Sequence, residues 1–227
     1  LENILVKLVY YSNGVFVFAA LFTTILGIIN LKKLGIYKIF ILLTSGAIIQ
    51  TIYSSLFNDI NNIEENLNLV DLYVNYYLVF ELIILSYYFY KKIIGKSQKI
   101  ITTILNGSLI LYLLPISIVK PQLISYYYSE IAAIEAITIL INCIFLFVQI
   151  LNDEINSSLL NSPDFIITSG IFFLFSFTCP YYVLYTKIEF NFSILKSCFS
   201  MVNYIGYVFF HLSIIKAFKC KIRLSRL

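Results

Sequence analysis

Two carboxylates, Glu130 and Glu135, lie inside an apolar stretch, 126–151, long enough to cross a bilayer as a helix. At heptad spacing Tyr128, Glu135, Asn142 and Gln149 share one face with Thr138 beside them, while Ile131, Ile139, Ile144 and Phe145 spread around the rest. An acid at the middle of a membrane helix costs about 2.5 to 3.5 kcal/mol on insertion scales, so this seam must face protein or water. A second stretch, 70–90, places Tyr73, Tyr77 and Glu81 at i, i+4 and i+8, with Tyr88 one heptad beyond Glu81. A third, 194–218, aligns Lys196, Ser200, Asn203, Tyr204, Tyr207 and His211.

These residue types suit the binding of a small solute or ion in a polar interior. Desolvation penalises an enclosed carboxylate that has no cation beside it, so coupling to protons follows readily. The candidate binding residues are Glu81, Glu130, Glu135, Asn142, Lys196, Asn203, Tyr207 and His211. The same groups also serve as interhelical hydrogen-bond glue, at about 0.6 to 2 kcal/mol each, and for the Tyr and Ser members glue is the stronger reading. Glu130 also fits the headgroup region beside the tyrosines at 126–128, Lys196 fits an outer interface to which it snorkels, and His211 fits a helix contact.

No catalytic group stands out, because Ser, His and acid do not come together and one His cannot form a metal cluster. The four cysteines, Cys143, Cys179, Cys198 and Cys220, have no C-x-x-C spacing and read as small buried hydrophobes. Neither cofactor nor metal nor disulfide is expected.

Positioning these side chains falls to seven apolar stretches, 9–30, 39–57, 70–90, 100–118, 126–151, 165–185 and 194–218. The chain is 60% hydrophobic and 12% charged, with a mean hydropathy of +0.88. Soluble domains run at roughly 45 to 50% apolar and 25% charged. The prediction is an all-α, polytopic membrane bundle forming one domain over 1–227, with no room for a separate soluble domain. A net charge of +4 does not signal nucleic acid here, because the cations sit at the ends of apolar stretches rather than in a stripe.

With the N-terminus outside, only Lys7, Lys120, Lys187 and Lys196 of the sixteen cations fall outside, which predicts a C-terminus inside and an odd number of spans. Segment 58–71 is acidic without a cation and reads as an external loop; 152–164 is also acidic but carries no weight in a rule that counts cations. The first stretch exceeds a signal-peptide core of about 7 to 15 residues and has its stronger positive flank, Lys32, Lys33 and Lys38, after it, so it is expected to remain as a span.

Local signals refine the helices. Ser45-Gly46-Ala47 would admit a close neighbour. Pro115 and Pro180 predict kinks, with Thr178 or a neighbouring helix available to the carbonyl that Pro180 frees. Ser162-Pro163-Asp164 reads as a helix start, with Ser as N-cap, Pro at the first position and Asp favoured by the helix dipole.

Asn161-Ser162-Pro163-Asp164-Phe165, opening the sixth stretch after a polar internal loop, resembles the helix start of uncharacterised seven-transmembrane bacterial proteins that look like the membrane part of sensor proteins. That resemblance implies a sensor-like or regulatory module, multi-pass in the bacterial inner membrane. High Ile, Asn, Lys, Tyr and Phe content, typical of AT-rich coding, fits a bacterial source. No kinase, cyclase or DNA-binding domain is expected beyond Leu227, so the expected partners are the bilayer, a small solute or ion, and a separate cytoplasmic effector protein.

Two other functions stay open. A proton-linked small-solute transporter is one, since Pro121-Gln122 is similar to the mark of the small PQ-loop carriers. A membrane-embedded lipid hydrolase is the other, on size and buried acids. A microbial rhodopsin is disfavoured, because Lys196 lies near the mouth of its stretch and the chain has no Trp.

Overall fold

The computed structural model describes residues 2–58, 63–119, 128–153, 159–185 and 193–224, with side chains over 14–49, 51–52, 76–119, 129–152, 159–184 and 197–222. Seven long helices account for most of these residues: α1 Glu2–Ile29, α2 Ile39–Asn58, α3 Ile63–Lys92, α4 Lys96–Val119, α5 Tyr128–Asp153, α6 Pro163–Tyr185 and α7 Ser193–Leu224. Short 3-10 turns at Leu31–Lys33, Gly35–Lys38 and Leu159–Asn161 complete the described elements, and no strand occurs among them. A helix satisfies every backbone group within its own segment, which is the requirement hydrocarbon imposes.

The helices overrun the apolar stretches where polar turns continue the backbone pattern. α3 begins at Ile63, inside the segment expected to be the external loop 58–71, and α7 runs on to Leu224 past the basic residues that close its apolar part. At the start of α6 the Phe165 N–H donates to Ser162 Oγ at 3.4 Å and the Ile166 N–H to Ser162 O at 3.1 Å, so Ser162 is the N-cap and Pro163 the first helical residue.

Packing closes a ring. α1 packs on α2, α2 on α3, α3 on α5, α5 on α6, α6 on α7, and α7 returns to α1, while α4 lies outside the ring against α3 and α5. Two glycines set close approaches. Gly46, in the Ser45-Gly46-Ala47 patch, leaves room for only 3.2 to 3.3 Å between an added Cβ and the rings of Tyr77 and Phe80 on α3, so the patch admits the neighbour its composition suggested. A Cβ at Gly170 would sit 2.5 Å from Ser213 Cβ, which holds α6 and α7 tightly together.

Tyr37, Lys92, Gln149 and Asp164 meet at one end of the bundle. The starts of α2 and α6 and the ends of α3 and α5 therefore share that end, and Gly27 of α1 and Phe218 of α7 come together beside Ile41. Lys32, Lys33, Lys38, Lys91, Lys96, Lys99, Lys216, Lys219 and Lys221 belong to the same helix ends, which makes this the basic end.

Large apolar side chains cover the outside. Phe18, Ile29, Ile94, Leu111 and Val119 are all more than 70% exposed, a surface suited to lipid rather than water. Among the described residues four segments, Lys96–Val119, Ser129–Asn152, Pro163–Leu184 and Ser197–Ile222, are long and apolar enough to cross a membrane; the described apolar parts of α1 and α2, Gly14–Ile29 and Gly35–Ile49, are shorter. Inside, a dense cluster including Phe40, Leu85, Tyr88, Phe89, Ile139, Phe175, Phe210, Ile214 and Phe218 fills the half towards the basic end.

Candidate functional site

Bordering that cluster at Phe175, α3, α5, α6 and α7 form a cavity of about 40 Å³ lined by Tyr77, Leu78, Glu81, Ala132, Glu135, Phe175, Thr178, Tyr182 and Tyr207. At roughly 10 to 15 Å³ per water this is room for about three water molecules. The α-helical repeat sets the lining: Tyr77 and Glu81 are one turn apart on α3, and Ala132 and Glu135 one turn apart on α5. Glu81 is 7% and Glu135 3% exposed. Glu135 Oε1 has no hydrogen-bond partner among the described residues, and the salt bridge found among them is elsewhere.

Thr178 forms the wall on α6. Its Oγ1 lies 2.9 Å from both Leu174 O and Asn203 Oδ1, sharing one proton between them. The hydroxyl therefore serves the carbonyl of Leu174 and a neighbouring helix, and not the Ser176 carbonyl that Pro180 frees.

The residues singled out by spacing divide into groups. Glu81, Glu135 and Tyr207 meet in the cavity, and Asn203, one turn before Tyr207, reaches its wall through Thr178. Asn142 is fully buried in a clamp between α4 and α5, accepting from Thr102 Oγ1 at 2.9 Å and donating from Nδ2 to Asn106 Oδ1 at 3.0 Å. Gln149, next on that seam, seals the α3–α4 junction by accepting from the Ile94 N–H at 2.7 Å and donating to Lys92 O at 3.1 Å.

His211 lies one turn beyond Tyr207, 1% exposed, with its ring 5.4 Å from that of Phe16; both ring nitrogens lack a partner among the described residues. Glu130 is exposed, accepts from Ser129 Oγ at 2.9 Å, and does not line the cavity. The side chains of Lys196, Tyr73 and Tyr128 lie outside the described residues.

A second polar cluster, at the basic end, escaped the reading of spacing. Lys92 Nζ lies 2.8 Å from both carboxylate oxygens of Asp164, with side-chain exposures of 21% and 28%. Lys92 also donates to Tyr37 Oη at 3.1 Å and stands 4.8 Å over the Tyr37 ring. Tyr37 donates to Asp164 Oδ1 at 2.8 Å, and Tyr88 at 3.3 Å. Burial, then the Asp164 charge and the hydrogen bond to it, push the Tyr37 phenol above its ordinary value, so it stays a donor. Each member had a local explanation that concealed the cluster: Asp164 as a dipole-favoured helix start, Lys92 as a basic flank. The available signal was Tyr88, a heptad beyond Glu81 and so on the same face of α3.

That face joins the two clusters. Glu81, Tyr88 and Lys92 stand at i, i+7 and i+11, so one continuous helix runs about 16 Å from the cavity to the ion pair. Between them the aromatic and aliphatic packing around Phe40, Leu85, Phe89, Phe175 and Phe210 floors the cavity. Fold and site together define an all-helical bundle with a lipid-compatible exterior and a small acidic cavity. Comparison with protein-family models, characterised proteins and solved structures yields no match.

Proposed function

We propose that this chain is a sensor-like or regulatory module of a bacterial inner membrane. In this reading it crosses the bilayer seven times, N-terminus outside and basic end inside, binds a small ligand or ion between Glu81 and Glu135, and passes occupancy to the basic end for a separate effector protein. The observation that carries it is the single face of α3 holding Glu81 in the cavity, Tyr88 at the floor and Lys92 on Asp164. A ligand that moves Glu81 moves Lys92 with it, and the latch to α6 and to the 3-10 turn before α2 is the element to be shifted.

Topology rests on the gathering of lysines at one end, where positive-inside places them on the cytoplasmic side. The apolar floor fits a receptor, which needs only one open side, whereas a transporter opens both faces in turn. The runner-up is a proton-linked small-solute transporter, favoured by two buried acids in one cavity with no cation beside them among the described residues.

Reconstitution into liposomes with a pooled mixture of labelled small solutes separates the two. The sensor reading expects no accumulation beyond protein-free vesicles, together with altered hydrogen exchange at 88–94 when the mixture is added. Accumulation that Glu135→Gln abolishes replaces it with the transporter. Accumulation that neither Glu135→Gln nor Glu81→Gln changes removes the cavity from both.

A further inference from the structure

Resting on the reading of the cavity as a ligand site, we propose that its ligand is a small organic monocation with N–H donors, a primary ammonium of about two or three non-hydrogen atoms. The polar side chains of the lining, Tyr77, Glu81, Glu135, Thr178, Tyr182 and Tyr207, bear oxygen only. Among the described residues no Lys, Arg or His lines the cavity, so positive charge is what its described walls lack. Ionised carboxylates only accept, and the Thr178 hydroxyl proton is already given to Leu174 O and Asn203 Oδ1, which leaves its lone pairs for a donor. Glu135 is the decisive residue: it belongs to the lining, is 3% exposed, and its Oε1 has no partner among the described residues.

The rest of the lining decides the class of cation. Leu78, Ala132, Phe175 and three tyrosine rings make a mixed wall in which an alkyl group packs while an ammonium meets carboxylates and ring faces. A divalent metal is disfavoured, because it asks for more hard ligands than two carboxylates and no group of three His, Cys, Asp or Glu occurs among the described residues. An anion would meet two acids, and a neutral solute would forgo the charge-assisted hydrogen bond that an ammonium makes with an ionised carboxylate. One monocation with one retained proton neutralises the pair.

The test is thermal unfolding of the purified full chain in nanodiscs of zwitterionic lipid at constant ionic strength. Methylammonium and ethylammonium are compared with sodium, potassium, methanol, ethanol and acetate. A saturable rise in Tm of roughly 5 to 10 °C at a hundredfold excess over Kd is expected for the two ammonium ions alone. Glu135→Gln and Glu81→Gln should abolish it and the exposed-site variant Glu130→Gln should keep it. The comparison among ligands needs only the wild-type chain, so it stands even if a cavity variant does not fold. An equal rise with sodium or potassium overturns the organic cation. A rise with the alcohols or acetate but not with the ammonium ions overturns the cation and leaves the cavity a ligand site, whereas no rise in any arm overturns both.

Discussion

Removing the charge of Asp164 tests the latch at the basic end. The ion pair to Lys92 at 2.8 Å is partly shielded, with side-chain exposures of 21% and 28%, so it falls between an exposed pair worth about 0.2 to 1 kcal/mol and a buried one whose breakage costs about 3 to 5. Asp164→Ala also strips the acceptor from Tyr37 and Tyr88, which are 4% and 0% exposed, and buried unsatisfied donors cost about 1 to 3 kcal/mol each.

Lys92 can still meet Tyr37 at 3.1 Å, and the Tyr88 bond is long at 3.3 Å, so we take about 3 kcal/mol for Asp164→Ala, a fall of roughly 6 to 12 °C in Tm for a chain of this size. Asp164→Asn keeps an acceptor for Tyr37 and should cost about 1 to 2 kcal/mol; Lys92→Met should cost a similar amount. Equilibrium unfolding in mixed micelles of the two single variants and the double variant should give a coupling of at least about 1 kcal/mol. Additivity within about 0.5 kcal/mol would refute the latch.

Asn142→Leu removes both bonds of the α4–α5 clamp and should destabilise by about 1 to 2 kcal/mol, with Asn106→Leu added to it recovering part of the loss, as read by the same unfolding assay. Gly170→Ala drives a Cβ into Ser213 and should cost about 1 to 3 kcal/mol, while Ser213→Gly in the same chain should restore most of it; a neutral Gly170→Ala would mean the helices are not in close contact there. In cells, with the four native cysteines replaced by serine, a cysteine at Glu130 should react with a membrane-impermeant maleimide from outside and one at Lys33 only in inverted vesicles; the reverse pattern would turn the protein over.

The helices were legible because hydropathy reports the apolar length of each. The second stretch, 39–57, and α2, Ile39–Asn58, nearly coincide, whereas α3 starts seven residues before its stretch, since polar residues such as Glu64 and Glu65 continue a helix without adding hydropathy. Glu81 and Glu135 were legible as a pair because acids in apolar helices have few tolerable environments, and a shared interior is one.

Asn142 and Gln149 fell on the same seam as Glu135 yet act as clamps. Spacing gives the face of a helix, but which neighbour that face meets follows from the ring order, in which α5 touches α3, α4 and α6. The Lys92–Asp164 cluster joins residues far apart in sequence, and the i+11 spacing of Lys92 from Glu81 gives the face of α3 but not the partner that this face meets on α6.

The most direct measurement is hydrogen exchange of Glu81→Gln against wild type in nanodiscs, followed at the Ile93 and Ile94 amides of the α3–α4 junction and at Phe165 and Ile166 of α6. These amides donate to Phe89 O, Gln149 Oε1, Ser162 Oγ and Ser162 O respectively, so they report the state of the latch. If the cavity and the latch are two ends of one device, exchange at these amides changes about fivefold or more while Glu130→Gln leaves it as it was. A change confined to the turns of α3 around residue 81 would mean that the cavity does not speak to the basic end.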